Sequence, residues 1–290
     1  IHKDLWQEIG GFDERYAPAY CEDSDLAFEV RKHGYRVVYQ PLSVIVHYEG
    51  ISNGTDLSSG MKAYQVVNSR KFFEKWEKEL TGFGFPNGQN VFDARDRSRN
   101  KPTLLMIDHY VPQFDRDAGS RTVYQYLKLF LSRGFNVKFI GDNYFRHEPY
   151  CTALQQMGIE VLYGPYYAKE WKKWIKTNAE CFDFVFINRP HITEKYVDFI
   201  RYNTSARILY YGHDLHFLRE SREYELNHNP ETLEAANEWK KKEFEIMKKV
   251  DRIYYPSEIE VNEIAATDPS VHAKAIPAYL FENIETVQYD

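Results

Sequence analysis

Phe182-Asp183-Phe184-Val185-Phe186-Ile187-Asn188 is apolar at almost every position, and Arg189-Pro190 follows it at once. A strand with one wet face alternates apolar and polar residues, whereas a continuously apolar one suits a sheet covered on both faces. The same texture recurs at Thr103–Asp108, Val137–Gly141, Ile159–Tyr163, Arg207–Tyr211 and Arg252–Pro256. Amphipathic stretches lie between these runs, among them Arg121–Arg133, Thr152–Gly158 and Glu194–Tyr202. Strands alternating with helices predict βαβ units and a parallel sheet. Right-handed crossovers then give an α/β fold with a Rossmann-like, doubly wound parallel sheet.

This texture begins at Pro102. Before it, residues 1–90 read as a separate region with one clear helix, two short strands and a second long helix, ending in the breaker-rich Gly82-Phe83-Gly84-Phe85-Pro86-Asn87-Gly88. The charged stretch 91–101 reads as a linker, and 102–290 as the second domain. At 290 residues, two domains are the expected number. The 43% hydrophobic and 28% charged content excludes a disordered chain. A net charge of -6 argues against a nucleic-acid partner, and no apolar run reaches the roughly 20 residues of a transmembrane segment. Cys21, Cys151 and Cys181 are scattered, without metal-ligand spacing, and read as reduced cytoplasmic thiols. The chain opens at Ile1 inside sequence of structured character, which reads as a fragment of a longer polypeptide.

The densest chemistry of the first region is Tyr20-Cys21-Glu22-Asp23-Ser24-Asp25-Leu26. Leu26 and Val30 follow at helical spacing and Gly34 stops the helix. Carboxylates here suit the positive end of the helix dipole, with Asp23 or Ser24 as cap, so a purely structural role accounts for them. Gly10-Gly11-Phe12-Asp13-Glu14 precedes the cluster. Gly34–Pro41 and Val44–His47 follow as strands, and Gly50 comes after.

In order and spacing, the string from Gly10 to Gly50, with the long helix carrying Asn68, Phe72, Lys75 and Trp76, resembles the closing part of a family-two GT-A glycosyltransferase domain. The resemblance implies that Asp23 is the base taking the acceptor hydroxyl proton, that Glu22 orients acceptor or base, and that His47 joins a divalent metal, Mg or Mn, holding the nucleotide diphosphate. His47 reads equally as a strand-end histidine without a ligand role. The family's D-x-D element lies upstream of anything in this chain, so the resemblance covers an acceptor-side remnant without nucleotide-sugar binding of its own.

In the second region, Asp108-His109-Tyr110-Val111-Pro112 leads through Asp115-Arg116-Asp117-Ala118-Gly119-Ser120-Arg121 into a helix. Gly119 permits a close approach of ligand to backbone, and Ser120 or Thr122 reads as the cap of an anion-friendly helix start; a plain βα turn accounts for them equally. Tyr210-Tyr211-Gly212-His213-Asp214-Leu215-His216-Phe217-Leu218-Arg219-Glu220 sets His213 and Asp214 just past a strand's C-terminal end, where open α/β sheets bind ligands. Asp214 is placed to orient the imidazole, and Arg219 reads as a phosphate contact or as part of a solvated ion-paired face.

These strings, with Phe182–Pro190, resemble the N-terminal Rossmann domain of family-four GT-B glycosyltransferases over about 101–276. That half binds mainly the acceptor. The resemblance implies His213 as the histidine near the reacting sugar, Gly119, Ser120 and Arg121 as the cleft-facing loop, and no cofactor for this half. Aromatic residues reach 16%, and Tyr110, Phe114 and Phe217 are candidates for stacking on sugar rings.

The two resemblances together imply a segment of a cytoplasmic glycosyltransferase, compatible with peripheral attachment at the inner face of the membrane. Its donor would be a nucleotide sugar and its acceptor a glycan or lipid-linked glycan of a growing polysaccharide. The isolated segment is expected to be inactive. Two other readings are a non-catalytic glycan-binding or scaffolding module, and a cofactor-dependent enzyme such as an epimerase or dehydrogenase. The missing G-x-G-x-x-G after Thr103–Asp108 speaks against the latter.

Overall fold

The computed structural model describes residues 1–38, 43–46 and 56–278. The chain divides into two compact units, Ile1–Gln89 and Asn90–Asp290.

The first unit contains helices α1 (Lys3–Ile9), α2 (Glu22–Lys32) and α3 (Ala63–Phe83). Its organising group is the buried Asp25 carboxylate. Tyr16 Oη (3.1 Å) and Trp76 Nε1 (2.7 Å) donate to it, and Lys75 Nζ lies 2.8 Å away. Lys75 also reaches Asp13 and Glu29, each at 3.0 Å. Asn68 Nδ2 donates to the carbonyls of Tyr16 (2.7 Å) and Ala19 (2.8 Å), which fixes the loop before α2 against α3. A short helix pair thus holds together through a buried polar knot more than through a large apolar core.

The expected strands do not form where the structure describes them. Residues 35–38 and 43–46 carry no strand, and Val38, Val44, Ile45 and Val46 are exposed. A two-stranded ribbon is marginal unless further strands or a helix cover it, and among the described residues none buries these side chains. Residues 39–42 and His47 lie outside the described residues.

In the second unit α4 (Val91–Asp96) precedes β1 (Thr103–Asp108), α5 (Ala118–Ser132), β2 (Asn136–Gly141), α6 (Tyr150–Gln156), β3 (Glu160–Leu162) and α7 (Pro165–Thr177). Then come β4 (Phe184–Asn188), α8 (Pro190–Asn203), β5 (Arg207–Tyr211), α9 (His216–Asn227), α10 (Pro230–Met247), β6 (Arg252–Tyr255), α11 (Glu258–Thr267) and β7 (Ala273–Ala275). All pairings are parallel, in the order β3-β2-β1-β4-β5-β6-β7. The protein is therefore a Rossmann-like α/β fold with helices flanking the sheet.

The strand alternation is visible in the packing. Leu105, Ile107, Val185 and Ile187 meet Ile175, Tyr196 and Ile200 of α7 and α8 on one face. Leu104, Met106, Phe139 and Phe186 meet Val123, Leu127 and Leu154 of α5 and α6 on the other. Fully burying side chains of this size contributes roughly 1.5–3 kcal/mol each, which is why both faces of these strands can be apolar.

The stretch read as a linker belongs to this unit. Phe92 stacks edge-on against Phe182, 5.8 Å between ring centroids. The side chain of Lys138, on β2, is buried and reaches Asp96 and Glu160, the latter at 2.8 Å. One of the charges that suggested a solvated connector, Asp96, is a partner of this buried lysine, and a lysine so placed requires paired carboxylates. Among the described residues no helix is long and apolar enough to cross a membrane.

Candidate functional site

Strand order reverses between β1 and β4, since β2 and β3 lie on one side and β5 to β7 on the other. Open α/β sheets bind ligands outside the carboxyl ends of strands at such a switch point. Asp108 and Asn188 end the two strands concerned, and Tyr211 ends the next.

Arg189 follows Asn188 with φ +67° and ψ 143°, a region that disfavours any residue with a side chain, and its N–H is held by Tyr211 O at 2.9 Å. Its Nε donates to Asp108 Oδ1 at 2.7 Å, and Asp108 is fully buried. The second Asp108 oxygen, Oδ2, has no hydrogen-bond partner. Burial raises the Asp108 pKa, against the pull of Arg189.

His213 lies immediately past β5 with φ +62°, and its ring is held by Asn188. Asn188 Nδ2 donates to Ile107 O at 3.1 Å, so its Oδ1 is the atom facing His213 Nε2 at 3.2 Å. A carbonyl oxygen only accepts, so Nε2 carries the proton and Nδ1 keeps its lone pair. Desolvation, reinforced by the nearby Arg189 charge, depresses the His213 pKa to about 3, and that of His109 to about 4. His191 shifts in the same direction for the same two reasons. The guanidinium is thus surrounded by neutral imidazoles.

A cleft of about 270 Å³ opens here, lined by Gly119, Thr122, Arg189, Tyr211, His213 and Pro256 among others. Gly119 admits the arginine: a Cβ at that position would stand 2.7 Å from Arg189 Nη2. Ser120 does not cap α5. Asp117 does, accepting from Ser120 N and Oγ, each at 2.7 Å, with Tyr110 Oη at 3.0 Å on the same carboxylate. Thr122 Oγ1 instead donates back to Ala118 O. Ser120 is buried and Arg121 exposed, so of the predicted loop only Gly119 lines the cleft.

Asp214 does not orient His213. Its carboxylate accepts from Arg219 Nη1 at 2.7 Å, and both side chains are about half exposed. That ion pair borders a different cleft, with Leu218, Arg222 and Glu260. Asn188, Arg189, Asp108 and His109 form the site with His213, and none was singled out by the sequence. The available signal was a polar Asn-Arg pair placed directly after a fully apolar strand.

In the first unit, the cap position of α2 is Cys21, which makes no side-chain cap bond; neither Asp23 nor Ser24 caps it. Tyr20 and Cys21 both take φ +76°, two consecutive unfavourable residues before the carboxylates. Asp23 is exposed, accepting from Ser24 N at 2.6 Å. Glu22 buries Oε2 without a hydrogen-bond partner. His47, the expected metal ligand, lies outside the described residues, and no cluster of three or more metal-ligating side chains exists among them.

No family model matches the chain. No curated protein matches it in sequence. Solved structures with a similar path include a doubly substituted mutant of NmrA, 13% identical with a TM-score of 0.34, over 53% of this chain and 45% of that one. Another is the GsuK channel bound to NAD, 13% identical with a TM-score of 0.28, over 73% of this chain and 34% of that one. The chain spans less than half the length of either, and neither likeness bears on what the cleft binds.

Proposed function

We propose that the chain is part of a multidomain glycosyltransferase. In this reading the first unit is the closing part of a GT-A-like module, and the second is the acceptor-side half of a GT-B-like module. Sugar passes from a nucleotide-sugar donor to a glycan or lipid-linked glycan. The observation that carries the reading is the switch-point cleft with a neutral His213 locked by Asn188. A neutral imidazole with a fixed lone pair accepts from a hydroxyl, as a sugar-binding site requires. The β1 turn supports it too: Gly119 is the one glycine there, and it makes room for an arginine, not for a dinucleotide pyrophosphate. In the first unit, Asp23 is the accessible carboxylate of the cluster and suits the role of base, with Glu22 beside it. A divalent cation, Mg or Mn, enters this proposal only through His47.

The test is sugar transfer by a longer polypeptide containing this segment, assayed with UDP- and GDP-sugars, glycan acceptors and Mg²⁺ or Mn²⁺. Asp23→Asn is expected to lower transfer by the first module on the order of 10²–10⁴-fold, and His213→Gln to lower transfer by the second. Full activity in both variants contradicts the assigned roles. Absence of transfer by the folded wild type favours a glycan-binding scaffold.

A further inference from the structure

We propose that Arg189 and His213 form a two-point site for an oxyanion-bearing polyol, the anionic group on the Arg189 guanidinium and a neighbouring hydroxyl on His213 Nδ1. The proposal goes beyond sugar transfer and holds whether or not a glycosyl group moves.

Arg189 is the one charged residue among those lining the cleft. Its side chain is 18% exposed, and its only hydrogen bond or ion pair to another side chain among the described residues is the Nε contact to Asp108. Among the described residues, the two terminal nitrogens, with four N–H groups in a planar fork, have no acceptor. A guanidinium withdrawn this far from water is costly when its donors are unfilled, and the fork matches two oxygens of a phosphate or carboxylate. The contact with Gly119 also fixes where the fork lies, since Nη2 takes the space of the absent Cβ.

The surrounding charges do not fill that need. Asp108 engages Nε. The Asp117 carboxylate is already occupied by Ser120 N, Ser120 Oγ and Tyr110 Oη. His109, His191 and His213 are held neutral, so they neither repel the guanidinium nor replace it as the anion's partner. Arg189 is also kept in an unfavourable backbone conformation, a strain that persists only where the surrounding structure imposes it.

His213 supplies the second contact. With Nε2–H committed to Asn188, its other ring nitrogen can only accept. A neutral acceptor beside a cation selects a ligand with a hydroxyl near its anionic group. The cleft volume of about 270 Å³ lies just under the roughly 300–1,000 Å³ of sites that enclose drug-sized ligands, so it holds one end of a ligand.

The test titrates the full chain with glucose 6-phosphate, glucuronate, glucose and inorganic phosphate, following the histidine ring nitrogens by NMR. Glucose 6-phosphate is expected to bind with Kd below about 1 mM and to shift His213, with inorganic phosphate competing. Glucose is expected to bind at least about tenfold more weakly, the equivalent of one charge-assisted hydrogen bond. Equal binding of glucuronate identifies a carboxylate as an acceptable source of the oxyanion; weaker binding identifies phosphate. Arg189→Lys keeps the charge next to Asp108 and removes the fork, and is expected to weaken glucose 6-phosphate about tenfold. Gly119→Ala, which displaces Nη2, serves as a second variant if Arg189→Lys does not melt cooperatively. Equal affinity for glucose and glucose 6-phosphate, unchanged affinity in a folded variant, or no binding by any of the anions overturns the proposal.

Discussion

Asp25→Ala is expected to destabilise the first unit by about 3–5 kcal/mol. The change removes the common acceptor of Tyr16, Lys75 and Trp76. Lys75 keeps Asp13 and Glu29, but Trp76 Nε1 and Tyr16 Oη lose their bond inside a buried site. An unsatisfied buried donor costs about 1–3 kcal/mol. Among its described residues the unit has few buried apolar side chains to offset that, chiefly Leu5, Tyr16 and Trp76. Urea unfolding followed by the Trp76 indole N–H signal in NMR measures the effect. Asp25→Asn, which keeps the shape and two acceptor sites, should cost less than alanine. An alanine variant within 1 kcal/mol of wild type contradicts the role given to the knot.

The second large effect is acid sensitivity of the sheet unit. His213 titrates at 6.5 when unfolded and at about 3 when folded. Between those values the unfolded chain binds the extra proton, so stability rises with pH there and is lost as pH falls from about 6.5 towards 3. At 1.36 kcal/mol per unit, the shift corresponds to on the order of 4–5 kcal/mol. His109 acts in the same direction. Asp108, whose pKa is raised, acts oppositely: protonation below its folded value favours the folded state. Thermal melting from pH 7 to 4 is expected to show a steep fall, and His213→Gln, which cannot protonate, a shallower one. Parallel curves contradict the buried neutral histidine.

The sheet was largely legible because its central strands are buried on both faces, and continuous apolar runs such as Leu104–Ile107, alternating with amphipathic stretches, suit a sheet covered on both sides. β7 was not, since Ala273-Lys274-Ala275 has neither length nor β-branched residues. The helix in 91–101 was hidden because Lys138, which donates to its Asp96, sits 42 residues away. The site followed the same rule. His213 stands out locally, just past a strand. Arg189 acquires meaning only from Asp108, 81 residues away, and the parallel strand order brings the two together. Asp214 misleads because sequence adjacency to His213 is not contact: past β5 it turns to Arg219, and the imidazole is held by a residue of β4. In the first unit the carboxylates were legible as a helix start, but which of them is buried was not. Asp25, not Asp23, takes that place, because α3 presents Lys75 and Trp76 to it.

Sugar transfer requires the cleft at the end of β1, β4 and β5 to be a site for sugar hydroxyls and not for a dinucleotide. The most direct measurement records the ring nitrogens of His109, His191 and His213 while acceptor oligosaccharides, NAD and inorganic phosphate are titrated separately into the protein. Oligosaccharide is expected to shift His213 saturably and to leave it the Nε2–H tautomer, with NAD binding no more tightly than inorganic phosphate does. Saturable shifts of the three rings by NAD at lower concentration than by inorganic phosphate, with none from any oligosaccharide, contradict the proposed function.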